Sequence, residues 1–117
     1  PRRMRWRSRA GWSSRWFAPV FLATKLEAFA GRGQGDYLFS HDLGDAIGVV
    51  DGREGLIAEC RAAPPELRAY LGAQFQALLS RRAFRDALPG HLPGDAASQE
   101  RLPALEARLQ TLARLAA

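Results

Sequence analysis

From Pro19 onward the apolar residues recur every three or four positions and nowhere in sustained alternation, a pattern that helix faces can bury. Pro19 suits a first helical turn, where its missing N–H is not needed. Phe21, Leu22, Leu26 and Phe29 follow on one face, and Gly31-Arg32-Gly33-Gln34-Gly35 ends the pattern. Ser40 is placed to cap a second helix that turns Leu43, Ile47 and Val50 inward, with Asp42 near its positive end and Asp51-Gly52 as its stop. A short segment, Leu56 to Arg61, runs into Pro64-Pro65. Pro65 then opens the strongest stripe, Leu67, Tyr70, Leu71, Gln74, Phe75, Leu78 and Leu79, broken only by Gln74. Leu71 and Phe75 are its expected core members. Ala83 to Leu88 either continues that helix or begins a new turn, and Pro89 to Gly94 reads as a loop. Leu102, Leu105, Leu109 and Leu112 stripe a last helix, with Pro103 near its start. The expected fold is therefore mainly α: four to five packed helices over residues 18–117, after a basic N-terminal arm at 1–17. At most one short strand is expected, at 15–20, where Pro19 would confine it to a sheet edge.

Composition narrows the class further. A chain of 117 residues, 47% hydrophobic and 25% charged, is one ordinary globular domain and excludes a mainly disordered or low-complexity chain. The single cysteine, Cys60, forms no internal disulfide, and with only His41 and His91 beside it a Cys-rich structural zinc site is excluded. The net charge of +5 conceals a segregation. Residues 1–17 hold six arginines, all three tryptophans and no acid, leaving eleven basic and twelve acidic side chains in the rest. The arm is expected to be disordered, because its charge is high and its apolar residues have no period. It also offers a nucleic-acid reading, with Arg2, Arg3, Arg5, Arg7 and Arg9 on phosphates and Trp6 on bases. Ala28-Phe29-Ala30 has the form of a cleavage site after a positive segment, but Pro19, Lys25 and Glu27 interrupt the apolar run such a signal needs. No run approaches the roughly 18 apolar residues of a membrane span. The expected compartment is the cytoplasm, with no membrane partner.

The chemistry-bearing residues are few. No serine stands in a Gly-x-Ser-x-Gly elbow, no Cys and His are close in sequence, and no phosphate loop ending in Gly-Lys-Ser/Thr occurs. The glycine run at 31–35 reads as a helix C-terminal loop. Lys25, the only lysine, sits beside the apolar face of the first helix. It either snorkels to solvent or points into a cleft as a charge for phosphate. In SHDLGDAIGVVDGR, Asp42 and Asp45 are i, i+3 neighbours and His41 is four residues from Asp45. Two carboxylates so placed need a cation, a basic side chain or helix-end N–H groups. They are either plain capping acids or part of a carboxylate–lysine cluster that orders a nucleotide site.

The stretch APVFLATKLEAFAGRGQGDYLFSHDLGDAIGVVDGR, Ala18 to Arg53, resembles the second half of bacterial nucleotidyltransferase-like proteins of the AbiEii/AbiGii toxin type. The resemblance rests on Lys25, Leu26 and Ala28, then Arg32-Gly33, then His41-Asp42 and Asp45. It extends through APPELRAYLGAQFQALL and ALPGHLPGDAASQERLP, covering about Ala18 to Ala117. It implies a toxin–antitoxin setting and transfer of a nucleoside monophosphate from an NTP with Mg²⁺ as cofactor. It also implies that Lys25, Arg32 and His41 face the nucleotide while Asp42 and Asp45 support the site. Such proteins hold the metal on a Gly-Ser and Asp-x-Asp pair, and this sequence contains neither. The metal-binding half would thus lie ahead of Pro1, as in a truncated or frame-disrupted gene. No metal ligand is assigned, the catalytic set is incomplete, and the chain alone is expected to be inactive. The full protein would take an NTP and could meet an antitoxin. Two other readings stand beside this one: a small nucleic-acid-binding protein using the Arg/Trp arm, and a helical protein-interaction domain.

Overall fold

The structure is a computed structural model that describes residues 16–32 and 35–116. The arm at 1–15, with the arginines and Trp6 of the nucleic-acid reading, lies outside the described residues, as do Gly33 and Gln34 of the glycine run.

The described chain is mainly helical, and no strand occurs among the described residues. Helix α1 spans Phe17–Arg32, α2 His41–Gly52, α3 Leu56–Arg61, α4 Pro65–Leu79, α5 Arg82–Ala87, α6 Ala96–Gln99 and α7 Leu102–Ala113. Two 3₁₀ turns, Leu88–His91 and Arg114–Ala116, follow α5 and α7. The optional edge strand at 15–20 does not form over the described residues of that stretch: Trp16 to Val20 is helical and Pro19 sits in the first turn of α1. Trp16 packs against the core and Phe17 starts α1, so both belong to the helical body and not to the arm. After α4 the second of the two alternatives for residues 83–88 holds, a new turn, while the expected loop at 89–94 is in part regular. Arg81 has extended backbone, so α5 begins anew after it, and the Pro89 region is wound as a 3₁₀ turn. Short helices of this kind carry too few residues to leave a periodic signature.

The starts and stops follow local chemistry. The Ser40 side chain accepts the Leu43 N–H at 3.2 Å, satisfying a free donor at the start of α2. Asp95 caps α6 by accepting from the Ser98 backbone and hydroxyl at 2.9 and 2.8 Å. Pro65 occupies the first position of α4, where no N–H is required.

One core joins the helices. Leu22 and Leu26 from α1, Leu43, Ile47 and Val50 from α2, and Leu67, Leu71 and Phe75 from α4 are buried with Leu105, Leu109 and Leu112 from α7. Helix α4 lies against α7, against the closing 3₁₀ turn and against α1, while α1 packs along α2. Gly72 makes the contact with the closing turn possible, because a Cβ there would fall 2.7 Å from the Ala116 methyl carbon. No helix among the described residues is long and apolar enough to cross a membrane.

Candidate functional site

The α1–α2 contact brings together residues that lie far apart in sequence. Lys25 and Arg32 are seven residues apart, about two turns, so both leave α1 on the same side. Asp42 and Asp45 leave the first turns of α2 toward them. The Lys25 ammonium lies 2.9 Å from Asp45 Oδ2 and 3.7 Å from Asp42 Oδ1. The Arg32 fork engages Asp42 with both arms, Nε to Oδ2 at 3.0 Å and Nη2 to Oδ1 at 3.2 Å. Lys25 Nζ also stands 5.5 Å from the centre of the Phe21 ring, in reach of a cation–π attraction.

Electrostatics follow from this geometry. Asp42 is one of two buried polar residues among the described ones, 8% exposed. The Arg32 hydrogen bonds hold its carboxyl below the usual carboxylate range, against the opposing effect of desolvation. The hydrogen bond to Asp45 raises the Lys25 ammonium above its ordinary value, and that to Asp42 raises the Arg32 guanidinium. The cluster is balanced, with two cations and two carboxylates. Asp42 serves both cations and is the hub.

The loop ahead of α2 fixes where the cluster sits. Gly35 takes a left-handed φ of +76°, and Asp36 Oδ1 accepts the Phe39 N–H at 2.9 Å and the Leu38 N–H at 3.3 Å. Tyr37 wedges between α1 and α5, its ring 5.6 Å from Phe29 and edge-on to Phe84 at 6.1 Å. Its carbonyl meets His91 Nε2 at 2.7 Å. This anchoring leaves a groove of about 320 Å³ lined by Arg32, Asp36, Phe39, Ser40, His41 and Asp42.

Of the five residues expected from sequence, Lys25, Arg32, Asp42 and Asp45 form one contact cluster. His41 is exposed and shares the groove with Arg32 and Asp42. The expected reach from His41 to Asp45 is not what Asp45 does: its carboxylate turns to Lys25 across the helix pair. Sequence reasoning missed Phe39, 76% exposed on the rim of that groove, because a single loop aromatic has no period. It also missed Asp51, which was read only as a helix stop. Asp51 takes the Arg101 fork at 3.0 and 3.3 Å, while Arg108 donates to the carbonyls of Val50 and Asp51, both at 3.0 Å, tying α7 to the end of α2.

The donor set does not fit a metal centre. Both carboxylates of the cluster are occupied by Lys25 and Arg32, and no group of three or more His, Cys, Asp or Glu among the described residues is arranged to hold a metal ion. Cys60 is fully buried, and burial pushes its thiol up to about 12, both of which disfavour an accessible thiolate. The cluster can hold two helices in register and fix the Arg32 guanidinium at the edge of a groove. Comparison of the chain with protein-family models, with curated proteins and with solved structures finds no match.

Proposed function

We propose that this chain is the supporting helical portion of a nucleotidyltransferase-like protein of the AbiEii/AbiGii type, with its Lys25 cluster facing an NTP. The observation that carries this reading is the meeting of Lys25, Arg32, Asp42 and Asp45, singled out from sequence, in one cluster where α1 crosses α2. In this role Lys25 and Arg32 attract phosphate oxygens, and His41 adds a donor from the groove wall. Asp42 and Asp45 orient the two cations and keep them charged. Mg²⁺ would be held by a Gly-Ser and Asp-x-Asp domain, whose motifs this sequence lacks. The chain's own residues bind and orient, and none of them activates a nucleophile.

The test separates binding from transfer. Titration of the chain with ATP, GTP, CTP and UTP, followed by amide chemical shifts, is expected to perturb Gly31, Arg32 and residues 39–45. Lys25→Met and Arg32→Gln should each weaken that response about tenfold, the worth of one charge-assisted hydrogen bond. Radiolabelled NTP with Mg²⁺ and RNA or protein acceptors should give no transfer. Absence of any nucleotide response at this cluster would overturn the reading.

A helical interaction domain is the second reading, favoured by Phe17 and Phe39, exposed at 68% and 76%. Under it Lys25 and Arg32 only clamp the helices, and their substitution lowers stability while nucleotides leave the resonances of the Lys25 cluster unchanged.

A further inference from the structure

A second charged feature lies apart from the Lys25 cluster and shares no residue with it. The end of α3, the start of α4 and the turn after α7 enclose an open groove of about 390 Å³. Its walls are Arg61, Pro65, Arg68, Ala69, Arg114 and Leu115. Three arginines from three separate segments thus line one concavity.

Most other arginines of the described chain are spent on partners of the protein itself. Arg32, Arg53, Arg82 and Arg101 each pair with a carboxylate. Arg85 and Arg108 donate to backbone carbonyls. Arg61, Arg68 and Arg114 have no carboxylate within ion-pair distance among the described residues. Three cations sharing a concavity repel one another, and an anion between them removes that cost. One of the three is already oriented: Arg68 Nη1 donates to the Arg61 carbonyl at 3.1 Å, which fixes the fork over the end of α3 and leaves its other N–H groups to point elsewhere.

The backbone adds in the same sense. Pro65 is the first residue of α4, a 15-residue helix whose N-terminus has no side-chain cap. The positive end of its dipole therefore borders the groove. Glu66 in the same turn offsets part of this charge, yet three arginines outnumber it.

We infer that this groove is an oxyanion site for a phosphate group, held by Arg61, Arg68 and Arg114. Guanidinium forks match phosphate oxygens with paired N–H donors, which a set of lysines would not. The groove is open on one side, so the phosphate can carry a substituent into solvent. A free polyphosphate and the phosphodiester backbone of a single strand present the same chemistry to it.

The experiment titrates the whole chain with pyrophosphate and, separately, with a short oligouridylate, by calorimetry and amide chemical shifts at low and moderate salt. Saturable binding that perturbs Arg61, Arg68 and Arg114 is expected. Arg68→Gln should weaken it at least tenfold, and the triple change Arg61→Gln, Arg68→Gln, Arg114→Gln should abolish it. The response at residues 61, 68 and 114 should survive Arg82→Gln, which removes an exposed cation outside both sites, while shifts at residues 39–45 report any separate binding at the proposed nucleotide cluster. Arg68→Lys keeps the charge without the fork and should recover only part of the affinity. Tighter binding of the oligouridylate, with a steeper fall in salt, would name a nucleic-acid backbone as the source; tighter pyrophosphate binding would name a free polyphosphate. The inference is overturned if neither probe binds saturably, or if the triple variant, its helical spectrum intact, binds like the parent.

Discussion

Leu71→Ala measures how far α4 holds the domain together. Leu71 is fully buried on the face that α4 turns toward its neighbours, and α4 lies against α7, α1 and the closing 3₁₀ turn. The substitution removes three side-chain carbons, a transfer loss of about 2.4 kcal/mol at about 0.8 kcal/mol per buried methylene. A residual void of roughly 50 Å³ adds about 1.2 kcal/mol at about 24 cal/mol per Å³. The total, about 3.6 kcal/mol, corresponds to a fall in melting temperature of about 15 °C for a domain of this size. Urea unfolding followed by far-UV circular dichroism reads the change as a lower midpoint with an unchanged slope. Leu79→Ala, at a half-buried position on the same helix, is the control and should cost about 1 kcal/mol, since only part of its side chain is removed from water. If Leu71→Ala shifts the midpoint no more than Leu79→Ala does, Leu71 does not sit in the core between α4, α7 and α1.

Three further outcomes are expected. Cys60 should react with Ellman's reagent at pH 8 only on unfolding, because burial removes both access and thiolate; rapid reaction of the native protein would contradict its place in the core. Melting temperature should fall as pH drops below about 4, because Asp42, Glu59 and Asp95 have carboxyls depressed in the folded state. Such groups stabilise fully above the unfolded value and lose that contribution as pH descends through the folded one. Arg32→Gln should flatten this acid limb, and a limb identical to the parent's would show that the Arg32–Asp42 pair is not formed in solution. Asp45→Asn removes the carboxylate that orients Lys25 and should weaken nucleotide binding under the proposed function; an unchanged response, read by the same shift titration, would place Lys25 in a purely structural role.

What sequence made legible was what is local. The Ser40 cap, the Leu43, Ile47 and Val50 face and the Pro65 start each depend on residues within a turn or two, so pattern and propensity suffice. The types of residue in the site were legible for the same reason, but not their pairing. Arg32 meets Asp42 and Lys25 meets Asp45 only because α1 and α2 cross at that height, and no spacing within either helix states it. Tyr37 and His91 were illegible altogether: one is a loop aromatic, the other sits in a short 3₁₀ turn, and their contact spans 54 residues. Gly72 was equally silent. Inside a helical stripe it looks like a weak position, and its reason, the approach of Ala116, comes from the far end of the chain.

The choice of cation carries its own information. The chain has one lysine among seventeen basic residues, and the structure gives a reason for the imbalance. Arg32, Arg53 and Arg101 each engage a carboxylate with both arms. Arg85 and Arg108 reach carbonyls at the ends of α4 and α2, where the negative end of a helix favours a cation and a long planar fork finds two acceptors or one at a fixed angle. Lys25 faces a different demand. Its partners are two carboxylates on successive turns, at 2.9 and 3.7 Å, with the Phe21 ring 5.5 Å away. A compact ammonium with rotatable donors can share itself among the three, whereas a rigid fork aligned on one carboxylate would give up the other. The same reasoning distinguishes the groove at Arg61, Arg68 and Arg114. There the fork has no protein carboxylate to match among the described residues, so the geometry that elsewhere ties helices together is left facing solvent, where a tetrahedral oxyanion is the complementary shape.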